Sequence, residues 1–79
     1  MRDILFIGGP LHLTERHFAN AEFMAMGYLG ENDKYWNYTY WGVYDAFTGG
    51  TKYKSVELWT PSPDTVVDEE EIANYLENK

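Results

Sequence analysis

The sequence predicts an α+β domain: a small antiparallel β-sheet of three or more strands with one or two helices packed on it. Three observations predict it. The apolar run Ile4-Leu5-Phe6-Ile7 stops at Gly8-Gly9-Pro10. An aromatic, β-branched segment over residues 35–45 is followed by Gly49-Gly50 and a second such segment over 52–59. A capped amphipathic stretch begins at Asp68. Strand-rich segments followed by one helical segment make a layered α+β unit, here a single domain spanning residues 1–79.

Residues 3–7 read as a buried strand, because the apolar run is continuous rather than alternating. Two glycines admit the positive φ of a tight exit, and Pro10 has no N–H with which to continue a ladder. The same Gly-Gly-Pro raises the question of a phosphate-binding turn. Such a loop aims backbone N–H groups at the anion and usually has a Lys and a hydroxyl residue opening a helix. Pro10 removes one donor and Leu11-His12-Leu13 supply neither residue, which favours a plain strand exit.

Residues 14–26 are predicted helical. Thr14 would be the N-cap, and Leu13, His17, Ala21 and Met24 would share a stripe. Ala19, Ala21, Glu22, Ala25 and two methionines favour helix by propensity. The competing pattern is a strand over 23–29. Residues 30–33 are a turn. The segment Tyr35 to Asp45 is a strand by its aromatic and β-branched content. Trp36, Tyr38, Tyr40 and Tyr44 are expected on one face, with Tyr35, Asn37, Thr39, Trp41 and Val43 on the other. The Asn37-Tyr38-Thr39 sequon then reads as a polar strand face. Residues 46–51 form the hairpin loop. The return strand, 52–59, puts Val56 and Leu58 on one face and Tyr53, Ser55, Glu57 and Trp59 on the other. Pro61 and Pro63 end it.

The last element is a helix. Asp68 is the N-cap, with Glu71 three residues on as its capping-box partner, and Val67 and Ile72 form a hydrophobic staple. Glu69, Glu70 and Glu71 occupy the first turn, where the helix dipole favours negative charge. Ile72, Ala73 and Leu76, with Tyr75 nearby, make the buried stripe.

Composition narrows the function classes. The net charge is −7, of which residues 64–79 carry −5. Naked nucleic acid is therefore not an expected partner, because binding it needs clustered Lys and Arg. Aromatic residues are 18 % of the chain, too many for a disordered acidic tail. The absence of cysteine excludes disulfides and thiolate metal sites and fits a reducing cytoplasm. No run approaches a membrane span or a signal-peptide core. A chain of 79 residues is only marginally stable alone, so a homodimer is compatible with this size. His12 and His17 with scattered carboxylates do not define a metal site. No nucleophile motif surrounds Ser55 or Ser62. The chain is read as a non-enzymatic protein without a cofactor or metal. Half of the aromatic strand must fill the core; the exposed half, beside acid, points to a protein interface, where Tyr and Trp are enriched.

The opening Ile4-Leu5-Phe6-Ile7-Gly8-Gly9-Pro10-Leu11-His12 resembles the start of small tailed-bacteriophage accessory proteins, which carry a GGP-L-[DH]-G turn after an apolar strand. Tyr53 to Trp59 and Val66 to Ile72 match the later strand and acidic segment of that layout. This chain has Leu13 where the pattern has Gly. The resemblance implies no catalytic residues; it implies a phage setting, in the cytoplasm of the host cell. Small acidic phage proteins, anti-CRISPR and other anti-defence proteins among them, often block a basic groove by presenting carboxylates where DNA phosphates would sit. By that class analogy the expected partner is a host complex with a basic nucleic-acid-binding surface. Asp68, Glu69, Glu70 and Glu71 would mimic phosphates, and Trp36, Tyr38, Tyr40 or Trp41 would anchor the contact. The alternatives are a nucleotide-binding or sponge protein using stacked aromatics with Lys52 or Lys54, and a virion accessory protein.

Overall fold

The apolar run at the start of the chain becomes the centre of the sheet. In a computed structural model that describes residues 2–19 and 22–78, β1 (Arg2–Phe6) has a strand on either side. Ile4, Leu5, Phe6 and Ile7 are all buried, as a strand covered on both faces should be. β1 pairs antiparallel with β2 (Thr14–Phe18) and parallel with β5 (Thr51–Thr60). β5 pairs antiparallel with β4 (Tyr35–Thr48), and β4 antiparallel with β3 (Ala25–Leu29). Among the described residues this gives one five-stranded curled sheet, β2-β1-β5-β4-β3, and one α-helix, α1 (Glu69–Glu77). The α+β class stands, but the sheet is mixed rather than antiparallel. After the β1–β2 hairpin the chain crosses to the far edge to start β3, and two further hairpin reversals return β5 alongside β1 in the same direction.

The helix expected over 14–26 is instead two strands, β2 and β3; residues 20–21, with the stripe residue Ala21, lie outside the described residues. Thr14 does not cap a helix but pairs with Phe6. Leu13, at φ 56°, makes the reversal, and its N–H donates to the Phe6 carbonyl at 2.8 Å. Without β2 that side of β1 would be an unpaired edge beside the apolar run Ile4-Leu5-Phe6. Long-range pairing outweighs the local preference of Ala and Met. Two side-chain pairs tie the new strand to the sheet: Lys54 Nζ of β5 lies 2.9 Å from Glu15 Oε2, and His17 Nδ1 lies 2.6 Å from Asp3 Oδ1 of β1.

The sheet buries an apolar cluster on each face. Leu5, Ile7, Ala46, Val56 and Leu58 pack against Ile72 and Leu76 of α1. Ile4, Phe6, Leu11, Tyr38 and Trp59 form the opposite cluster. Phe23, just before β3, covers part of this second face: its ring lies 5.1 Å from Phe18 and 5.3 Å from Trp59. β5 keeps its predicted faces at residues 55–59, with Val56 and Leu58 toward the helix and Trp59 away from it.

β4 does not keep a single face. Trp41 is an extra residue between the pairs Tyr40–Trp59 and Gly42–Leu58, and such a bulge turns the strand over. Tyr38 faces the second cluster while Tyr44 and Ala46 face the helix, so the expected shared face of Trp36, Tyr38, Tyr40 and Tyr44 is split. The hairpin loop is also tighter than the expected 46–51. Only Gly49 and Gly50 lie outside the strands, at φ 58° and 83°, the pair of positive φ values that a two-residue reversal requires.

At the edge of the second cluster, Arg2 Nε and Nη2 donate to Glu57 Oε2 and Oε1 at 3.0 and 2.8 Å, and Trp59 Nε1 donates to Glu57 Oε1 at 3.1 Å. The Arg2 hydrogen bonds hold the Glu57 carboxyl below its ordinary value, partial burial opposes them, and the Trp59 bond adds to the lowering. A carboxyl held below its unfolded value stabilises the fold above that value, and the stabilisation is lost as pH falls through the folded value. Glu57→Gln is therefore expected to be less stable than the parent at neutral pH. The gap should close in acid, below the ordinary carboxylate range. Urea unfolding at both pH values checks this; a gap independent of pH would remove the charge from the account.

Candidate functional site

The turn at Gly8-Gly9-Pro10 is a structural hub with almost no donor to spare. Gly8 and Gly9 have φ of 86° and 66°. The Gly8 N–H donates to His12 Nδ1 at 2.8 Å, and the Leu11 N–H to the Tyr38 hydroxyl at 3.1 Å. The His12 and Leu13 amides donate to the Gly9 and Phe6 carbonyls. Pro10 has none, which leaves the Gly9 amide alone among residues 8–13. One amide is no anion cradle, and the strand-exit reading of this turn is the correct one.

Tyr38 locks the turn. Its hydroxyl donates to the Gly8 carbonyl at 2.7 Å while accepting from Leu11, and its ring meets Phe6 edge-on at 5.0 Å. Burial pushes the phenol above its ordinary value, with the Leu11 amide pulling the other way. The residue is 0 % exposed. Of the aromatics expected to anchor a partner, Tyr38 is thus in the core and offers no contact surface. The reason is the alternation of β4, which turns Tyr38 inward under the Gly8-Gly9 exit.

Tyr40 and Trp41 are 51 % and 48 % exposed. Tyr40 stands edge-on to Trp59, 6.5 Å away, on the face opposite α1. Trp36 is half-buried. It lines a recess of about 510 Å³ with Gly9, Pro10, Tyr28, Gly30, Glu31 and Lys34. Tyr28 and Trp36 are directly opposite on β3 and β4. Lys34 Nζ lies 4.0 Å from the centre of the Trp36 ring. Lys52 and Lys54, the cations expected beside an aromatic ligand platform, do not line this recess; Lys54 is bound to Glu15.

The acidic run stands at the start of α1, on the other side of the sheet. Its four carboxylates have different duties. Asp68 Oδ1 accepts from the Glu70 and Glu71 amides at 3.0 and 3.4 Å, so the predicted N-cap is present. Glu71 does not complete a capping box; its Oε1 lies 3.0 Å from His12 Nε2 and ties the helix to the Gly8-Gly9 turn. Val67 and Ile72 join the same cluster, as a staple should. Glu69 and Glu70 are exposed and, among the described residues, have no ion-pair partner. Asp68→Ala is expected to cost about 1 kcal/mol of stability by loss of the cap, measurable by chemical denaturation.

The predicted site residues therefore fall into separate places. Glu69 and Glu70 are exposed with no ion-pair partner among the described residues, Asp68 and Glu71 are structural, Tyr40 lies on the opposite face from them, and Tyr38 is buried. Sequence reasoning missed Tyr28, Glu31 and Lys34. A Tyr and a Trp separated by a short turn between strands were the available signal, and the competing strand over 23–29 contained its first half. Among the described residues no three His, Asp or Glu side chains converge as metal ligands, and no helix is long and apolar enough to cross a membrane. No family model, curated protein or solved structure matches the chain.

Proposed function

We propose that the protein is a non-enzymatic inhibitor of phage origin that covers a basic, nucleic-acid-binding surface on a host defence complex, in the manner of anti-CRISPR proteins. The observation that supports this reading best is the pair Glu69 and Glu70. The Asp68 cap and the Glu71–His12 bridge order the helix start, so the backbone that carries the two carboxylates is set before binding and only their side-chain rotamers remain to be fixed. The net charge of −7 steers encounter with a basic partner. Exposed Trp41 is the aromatic with which such a contact would be anchored. Glu69→Gln with Glu70→Gln should weaken binding about tenfold and flatten its salt dependence, since each lost charge removes an interaction that salt screens. Unchanged affinity and salt slope would remove the phosphate-mimic mechanism.

A second reading, a small-ligand binding protein, is favoured by the recess between the Gly9-Pro10 turn and the β3–β4 hairpin. Its volume is in the range of small-molecule sites. A thermal-shift series with nucleotides and other small metabolites separates the two: a large saturable rise supports the ligand.

A further inference from the structure

We infer that the recess at the β3–β4 hairpin is a site for a small zwitterion, a molecule carrying an ammonium and a carboxylate beside an apolar part. The inference rests on the ligand-binding reading above and is independent of the inhibitor reading.

The first observation is charge. Glu31 and Lys34 both line the recess. They are three residues apart in one turn, yet they form no ion pair with each other or with any other charge among the described residues. The neighbouring carboxylate of Asp33 does not line the recess. The recess thus presents one unpaired charge of each sign. A simple anion or cation would satisfy one and meet repulsion from the other; a zwitterion satisfies both.

The second observation is the indole of Trp36. Its benzo edge abuts Gly9 and its pyrrole edge abuts Gly30, where added Cβ atoms would lie 3.1 and 3.0 Å from the ring. The two glycines keep the indole open to the recess. Its Nε1–H, beside Gly30, meets no acceptor among the described residues, so a donor is available for a carboxylate. One ring face already carries a cation, the Lys34 ammonium at 4.0 Å. Lys34 is exposed and exchanges easily. A ligand carboxylate would draw Lys34 off the ring, and the ligand's own cation would take a place over Trp36 or Tyr28 beside Glu31. Aromatic faces bind ammonium groups, methylated ones included.

Two chemistries share this description: an α-amino acid, whose N–H groups reach Glu31, and a betaine, whose methylated cation can use only charge and the ring faces. The test follows the Trp36 indole N–H in ¹⁵N–¹H spectra, assigned with Trp36→Phe. The full chain is titrated with phenylalanine, glycine betaine, a series of nucleotides, and the half-ligands 3-phenylpropionate and tetramethylammonium. The expected result is a saturable shift with at least one zwitterion at millimolar concentration, and roughly tenfold weaker response to both half-ligands. Glu31→Gln and Lys34→Met, exposed changes whose folding the same spectra report, should each weaken zwitterion binding roughly five- to tenfold. Preference for phenylalanine assigns the cation to Glu31; preference for betaine assigns it to the rings. Binding that survives both charge changes, or a half-ligand as strong as a zwitterion, overturns the proposal. If nucleotides shift Trp36 and zwitterions do not, the ligand reading stands and the zwitterion falls. If nothing shifts Trp36, both fall.

Discussion

Gly9→Ala is expected to destabilise the protein by about 3 kcal/mol, a large part of what a domain of this size has. Two costs add. At φ 66° a Cβ is strained by about 1 kcal/mol. That Cβ would also lie 2.5 Å from the Tyr38 hydroxyl, pushing it away from Gly8 and Leu11 and leaving buried polar groups unpaired, at about 1–3 kcal/mol. Gly49→Ala is the control. Gly49 has φ 58°, but nothing stands within 4 Å of the added atom, so only the backbone cost of about 1 kcal/mol applies. Tyr38→Phe removes the obstructing hydroxyl, so Gly9→Ala and Tyr38→Phe together should cost less than their sum. Thermal unfolding of the four variants checks this. Equal losses at Gly9 and Gly49, or strict additivity with Tyr38→Phe, would mean that the hydroxyl is not what fixes the turn.

Trp59→Ala is expected to cost about 3–5 kcal/mol and to leave little folded protein at ordinary temperature. Trp59 is fully buried in the second cluster. Phe23 and Tyr40 pack on it, and Arg2 sits 5.5 Å from its ring. Its removal opens a cavity and takes one hydrogen bond from Glu57. Trp59→Phe keeps most of the volume and should cost clearly less. Far- and near-ultraviolet circular dichroism of both variants reports the result. A well-folded Trp59→Ala with the parent's unfolding midpoint would mean that this face of the sheet is not a core.

Elements with strong local patterns were legible in the sequence. β1 was marked by an unbroken apolar run, β5 by alternation of Val56 and Leu58 with Glu57 and Trp59, and α1 by Asp68 and the Val67–Ile72 staple. What was hidden depends on distant residues. β2 is a strand because β1 has an edge to offer, and nothing within Thr14 to Phe18 says so. The parallel β1–β5 pairing follows from where the chain crosses the sheet. The bulge at Trp41 places Tyr40 and Tyr44 on opposite faces, although their spacing in the sequence predicts one face. The acidic half of the candidate site was legible because capping is local. The recess was not, because Gly9-Pro10, Tyr28 and Trp36 come from three parts of the chain. The burial of Tyr38 has the same origin, a hydroxyl claimed by a turn about thirty residues earlier.

The most direct test of the proposed inhibitor compares two tagged proteins, the parent and the Glu69→Gln/Glu70→Gln variant, as baits in nuclease-treated bacterial lysate. The parent should retain a nucleic-acid-binding complex that salt or competing duplex DNA releases, and the variant should retain much less of it. A complex held equally by both baits and indifferent to salt and DNA, or no enriched complex at all, would contradict the claim that the α1 carboxylates stand in for phosphates.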